Sequence, residues 1–157
     1  MHNTLPVDPP VRLLALYQQV YPDTKPDIVF QAPGREMWAL ANITERGEYA
    51  ITSSEMAARA VFSRQSAKAR RTVLQRPLPR WARYAAGMVL LLDDAGLAVP
   101  GLEAVVCADE PPGPRYDYAL GILVAALWHD LYRRAVSPDM LREITDTVRR
   151  EYVEVDS

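Results

Sequence analysis

Residues Leu97–Ala135, LAVPGLEAVVCADEPPGPRYDYALGILVAALWHDLYRRA, decide the fold. Pro100 and Gly101 close a preceding helix, Leu102 to Ala108 alternates as a buried strand, and a Pro/Gly turn follows. An almost unbroken apolar helix then runs to about Tyr132. Strand, tight glycine turn and buried helix form a layout that often cradles a phosphate on backbone N–H groups. Here the turn Asp109–Asp117 holds one glycine, three prolines and three carboxylates, so it offers few free N–H groups and much negative charge. The scaffold for an anion is present and its cradle is not.

Downstream, Ser137 reads as a helix N-cap with Pro138 at the first helical position, and Met140 or Leu141, Ile144, Val148 and Tyr152 turn inward. Upstream, Pro77 and Pro79 mark the entry to a helix striped by Trp81, Tyr84, Ala85, Met88, Leu91 and Leu92, which Gly96 caps. Leu13, Leu14, Tyr17 and Val20 make Val11–Val20 a short amphipathic helix. Between these helices, Asp27–Ala32 alternates as a strand that Pro33-Gly34 interrupts and Arg35–Leu40 resumes. Tyr49–Thr52 and Ala58–Phe62 follow with short connections, a pattern that predicts an antiparallel meander, with a further strand over Arg71–Leu74. The expectation is an α+β two-layer sandwich of a four- to five-stranded, mostly antiparallel sheet and helices. One sheet face packs on helices, and the other needs polar residues or a cover. Residues 1–10 read as a flexible tail and 11–157 as a single domain.

At 157 residues the chain has the size of one ordinary domain, and 49% hydrophobic with 24% charged residues places it among folded proteins. No apolar run approaches the ~20 residues a membrane-spanning helix requires. The single cysteine, Cys107, permits no internal disulfide and fits a reducing, cytoplasmic compartment as buried filler. Met56–Leu92 contains no acid and eight cations: Arg59, Arg64, Lys68, Arg70, Arg71, Arg76, Arg80 and Arg83. The segment lacks interleaved aromatics until Trp81, so it reads as a solvated or partner-facing surface rather than a nucleic-acid site.

In this order the segments resemble the N-terminal half of a GHMP-superfamily sugar kinase, of the galactokinase family in particular. Ala32-Pro33-Gly34-Arg35 matches that family's A-P-G-R strand, and Ala39–Gly47 looks like its V-L-P-x-A-I-x-R-G segment. Trp81, Tyr84 and Gly87 look like its W-x-x-Y-x-x-G helix. Gly101–Gly113 resembles the strand leading to the P-x-G-x-G-L-S-S-S-A phosphate loop, and Ser137–Val155 the helix ending in E-x-x-F-x-G-V. The fold implied is the N-terminal GHMP-kinase domain, of the ribosomal protein S5 domain 2-like class. The departures concern chemistry. Between Arg35 and Ala39 only Glu36-Met37-Trp38 remains of the family's N-L-I-G-E-H-T-D-Y-N-x-G sugar loop. In the phosphate loop Pro111 and Gly113 survive, but Arg115–Leu120 replaces the serine-rich end with bulk and a like charge. The family's magnesium-binding glutamate falls on or near Leu123, and its catalytic aspartate would lie past the last residue. Phosphoryl transfer depends on positioning and charge neutralisation, so the resemblance with these losses implies a non-catalytic domain without cofactor.

The candidate ligand-binding residues are Gly34, Arg35, Trp38, Gly113 and Arg115, which would read an anionic or sugar-like ligand. Each has a structural alternative. Gly34 suits a tight turn, Arg35 a bridge to Asp109 or Glu110, and Arg115 a salt-bridged cap with Glu110 or Asp117. Asp109, Glu110 and Asp117 would attract a cation, but their Pro-rich backbone argues against it, and His129 has no second ligand at zinc spacing. No metal and no catalytic residue is assigned. Two functions follow as expectations: self-association as a homodimer or binding of a protein partner over an exposed face, or small-molecule binding in a residual cleft.

Overall fold

A computed structural model describes residues 8–155. Residues 1–7 of the expected tail and the last two residues of the expected domain lie outside the described residues. The elements in chain order are α1 (Val11–Val20), β1 (Ile28–Gln31), β2 (Met37–Ile43), β3 (Glu48–Ser53), β4 (Ala58–Ser63) and α2 (Arg64–Lys68). There follow α3 (Arg80–Asp94), β5 (Leu102–Ala108), α4 (Pro114–Leu131) and α5 (Pro138–Val148), which ends in a π-helical turn, Arg149–Val153.

The five strands form one sheet in the order β1-β2-β5-β3-β4. β5 pairs antiparallel with β2 and parallel with β3. The expected meander is therefore corrected: β1–β2 and β3–β4 are two hairpins, and the later strand β5 separates them. The reason is burial. β5 is apolar on both faces, LEAVVCA, and a strand of that kind belongs in the middle of a sheet. Arg35–Leu40 does not resume β1; it turns back on it, with Val29 opposite Leu40 and Gln31 opposite Trp38. Gly34 makes that turn with φ +67°. The strand expected over Arg71–Leu74 is also absent, and only Arg71 bridges Pro77 across a loop.

Strand alternation splits the core in two. Met37, Ala39, Ala41, Tyr49, Ile51, Leu102, Ala104 and Val106 face α3 and α4 and form the larger core with Trp81, Tyr84, Leu120 and Trp128. Trp38, Leu40, Val105 and Cys107 face the other way and pack under Leu13 and Tyr17 of α1. α1 is thus the cover the second face required. Arg12 fixes it by donating to the Ala108 carbonyl at 2.8 Å and pairing with Asp109 at 3.0 Å. Cys107 is buried there, and desolvation pushes its thiol up to about 11, which keeps it protonated and inert.

The helix layer is held by close approaches. Gly121 of α4 faces Tyr84 and Thr145, and Gly87 of α3 faces Tyr152 and Val148, in both cases where a Cβ would crowd the partner. Ser137 caps α5 through the Met140 N–H at 3.1 Å, as its sequence position predicts. Leu141, not Met140, is the inward residue at the start of that helix.

The acid-free basic segment is largely consumed in joining these pieces. Arg64 donates to the Val99 carbonyl at 2.9 Å, Arg70 to Tyr152 at 2.9 Å, Arg71 to Gln75 at 2.7 Å and Arg83 to Leu78 at 3.1 Å. Guanidinium groups serve here as multi-pronged donors to loop carbonyls that no sheet or helix satisfies.

Candidate functional site

Two clefts meet at the end of the sheet where β5 runs into α4. The first, of about 360 Å³, lies between the β1–β2 turn and the β5–α4 loop. Gly34, Arg35, Glu36, Asp109 and Glu110 supply its polar rim, and Met37 and Ala119 part of its apolar floor. The second, of about 280 Å³, lies between the N-terminal ends of α3 and α4 and the C-terminal turn. Four arginines line it, Arg35, Arg80, Arg115 and Arg149, together with Tyr84, Tyr118 and Glu154. Arg35 belongs to both clefts.

The ion pairs around the second cleft are loose. Arg80 lies 3.9 Å from Asp117 and 3.8 Å from Glu154; Arg149 lies 3.5 Å from Asp146 and 4.0 Å from Glu154; Arg115 lies 3.6 Å from Glu110. None is at hydrogen-bond distance, and apart from the buried Asp117 the partners are partly exposed, where such pairs contribute little, so an incoming oxyanion can compete for the guanidinium donors. Arg35 has no carboxylate within ion-pair distance among the described residues. Its guanidinium sits 5.8 Å from the centre of the Tyr118 ring, a cation–π contact that leaves the N–H groups free. Tyr118 is itself fixed by donating to Asp146 at 3.0 Å and by an edge-on contact with Tyr84 at 5.8 Å. Burial raises its hydroxyl above the ordinary tyrosine value, with the hydrogen bond to Asp146 adding to the shift.

Asp117 stands in the first turn of α4 with 4% of its surface exposed. One of its carboxylate oxygens has no hydrogen-bond partner, and desolvation raises its pKa, an effect that Arg80 opposes. A buried carboxylate at this helix entrance repels a phosphate where helix N–H groups would otherwise attract one. The three prolines of Asp109–Asp117 remove further donors.

Four of the five sequence-predicted residues gather here. Gly34 and Arg35 rim the first cleft and Arg115 joins the second, while Gly113, the N-cap of α4, falls in the chain between their lining residues Pro111 and Pro114 without lining either cleft. Trp38 is not with them. Met37 points to the cleft, so strand alternation sends Trp38 to the opposite face, where it is buried under α1. The expected bridge from Arg35 to Asp109 or Glu110 is not formed, because Arg12 takes Asp109 and Arg115 takes Glu110. That sharing also keeps Asp109, Glu110 and Asp117 from converging as a cation site. Arg80, Arg149, Tyr84 and Glu154 were not legible as cleft residues, since α3 and the C-terminal turn bring them in from distant sequence.

No protein-family model matches this sequence, and no curated protein matches it at significance. Solved structures do match. The chain has the α/β sandwich of the N-terminal domain of GHMP kinases, a five-stranded sheet with flanking helices. It is similar to Lactococcus lactis galactokinase complexed with galactose, at 18% identity and a TM-score of 0.66, over 94% of this chain and 43% of that one. It is also similar to a mevalonate kinase, at 11% identity and a TM-score of 0.55, over 73% of this chain and 37% of the other. Methanococcus jannaschii mevalonate kinase matches at 10% identity with the same TM-score, over 73% of this chain and 36% of its own. The chain thus spans well under half the length of the kinases it resembles.

A magnesium–nucleotide complex, which the kinase fold implies, does not fit the residues present. Leu123, at the position read for a metal-binding glutamate, is buried in the larger core. Asp117 sets a buried carboxylate in the first turn of α4, where a phosphate would need donors.

Proposed function

We propose that this chain is a non-catalytic, GHMP-kinase-like domain that binds a small hydroxylated anion of the sugar-phosphate class in the joined clefts around Arg35. The observation that supports it is the placement of Arg35. It is a cation with no carboxylate partner among the described residues, standing where a carboxylate-rimmed cleft opens into an arginine-lined one. Glu36, Asp109 and Glu110 accept hydrogen bonds from hydroxyls, and the guanidinium groups donate to phosphate oxygens. The absence of turnover is part of the proposal and rests on the electrostatics of Asp117 and the proline-rich loop.

Self-association has weaker support. Among the described residues the exposed large apolar ones are Val11, Leu14, Val29, Ile43, Leu74, Tyr132, Met140 and Val155, which belong to seven separate segments.

Calorimetric titration with galactose 1-phosphate, galactose and inorganic phosphate tests the reading. The phosphorylated sugar binds more tightly than either part, and Arg35→Gln weakens it roughly 10- to 100-fold, the range expected for charge-assisted hydrogen bonds. Equal affinity of the variant, or no binding of any probe, overturns the ligand. Formation of ADP from ATP and galactose by the purified chain overturns the non-catalytic half.

A further inference from the structure

α1 packs on β2 and β5 and leaves a groove of about 590 Å³ between its C-terminal half and the β3–β4 hairpin. Leu16 and Val20 of α1 form one wall, and Ala57 and Ala58 of the hairpin belong to the other. Thr52 and Arg59 also line it, beside the polar Gln19, Ser53 and Ser54. Thr52 and Arg59 are direct cross-strand partners, so their side chains lie side by side on one face. Thr52 is 9% exposed, and its hydroxyl is buried with no hydrogen-bond partner. Buried hydroxyls are normally satisfied, so the unpartnered hydroxyl of a residue that lines the groove points to a missing partner atom. Arg59 lies 5.8 Å over the Tyr21 ring and has no carboxylate partner among the described residues. The ring holds the guanidinium at the mouth of the groove while leaving its N–H groups unused.

We infer that this groove binds a small monocarboxylate with a short apolar body, its carboxylate taken by Arg59 and Thr52 and its carbon chain laid against Leu16 and Val20. A guanidinium receives a carboxylate through two parallel N–H donors, and the threonine hydroxyl supplies a third. One cation matches one negative charge; a phosphate dianion would keep an uncompensated charge against the side chains of Leu16 and Val20. The site lies on the α1 side of the sheet, apart from the clefts around Arg35.

The test is an amide chemical-shift titration of the intact chain with hexanoate, and with hexanamide as its neutral counterpart. Saturable shifts are expected at residues 16–20 and 52–59, with hexanamide at least ~10-fold weaker, as the loss of charge-assisted bonds predicts. Arg59→Gln, at an exposed side chain, is expected to abolish the difference between the two probes, and Thr52→Val to weaken hexanoate several-fold. Hexanamide binding as tightly as hexanoate would mean an apolar groove only and would overturn the inference. So would hexanoate shifts confined to the Arg35 clefts, or shifts at the groove that depend on protein concentration without any probe, which would mark a second copy as its occupant.

Discussion

Replacing Gly87 with alanine tests whether the C-terminal turn is a packed part of the domain or an appendage to it. Gly87 lies in the middle of α3, where alanine is ordinarily the better residue by about 1 kcal/mol. A Cβ at this position would stand 2.7 Å from Cδ2 of Tyr152 and 2.8 Å from Cγ1 of Val148. Those atoms must withdraw by about 0.7 Å to reach ordinary contact. Tyr152 is poorly able to withdraw. Its hydroxyl donates to the Ala67 carbonyl, its own carbonyl accepts from Arg70 at 2.9 Å, and the Arg70 guanidinium lies 5.2 Å from the ring centre. Overpacking of a constrained core position costs about 1–3 kcal/mol, and loosening the Arg70 and Ala67 bonds adds about 1 kcal/mol. Set against the gain in helix propensity, the net expectation is a loss of about 1–3 kcal/mol. In a chain of this size that lowers the melting temperature by roughly 2–4 °C per kcal/mol. Urea unfolding followed by tyrosine and tryptophan fluorescence measures it, with unchanged slope. A Gly87→Ala variant more stable than the parent would mean that the turn does not bear on α3, and the reasoning fails.

Trp38→Ala is expected to cost about 3–5 kcal/mol in the same unfolding assay, because it empties the core beneath α1, while galactose 1-phosphate affinity stays unchanged. A loss of affinity at retained stability would place Trp38 functionally in the cleft after all. Asp117→Asn tests the buried carboxyl. Its folded pKa is raised above the unfolded value, so the folded state binds the extra proton between the two, and the group's ionisation subtracts stability once pH passes that window. The variant should therefore gain on the parent as pH rises from about 4 toward 7. A difference independent of pH, or one of opposite slope, would show that pairing with Arg80 outweighs burial. Arg64→Ala should destabilise by about 1 kcal/mol, through loss of its bond to a Val99 carbonyl that the Tyr49 hydroxyl still holds, yet leave heparin retention unchanged. Reduced retention without loss of stability would assign the basic segment to a polyanion.

The elements were legible wherever local chemistry suffices to define them, and illegible wherever a distant partner decides. The Ser137-Pro138 start of α5 and the extent of β5, Leu102–Ala108, are written in neighbouring residues, and both stand where they were read. The place of β5 between two hairpins is not local, since pairing order depends on which strand best tolerates burial on both faces. The same division runs through the site. Gly34, Arg35, Gly113 and Arg115 sit in turns whose composition singles them out, and the fold brings them to one end of the sheet. Trp38 was misplaced by a single register step: with the hairpin turn at Gly34, odd-numbered residues of β2 face the helices and even-numbered ones face α1. The basic segment illustrates the converse error. A run of arginines without acids reads as a solvated or partner-facing surface, yet Arg64, Arg70, Arg71 and Arg83 each donate to an uncharged backbone carbonyl, which no count of charges reveals. Arg35 is the instructive exception, because its expected carboxylates are claimed by Arg12 from α1 and Arg115 from α4. Those competing pairs leave it as the cleft's unpaired cation among the described residues, and they make the cleft a place where an anion finds free donors.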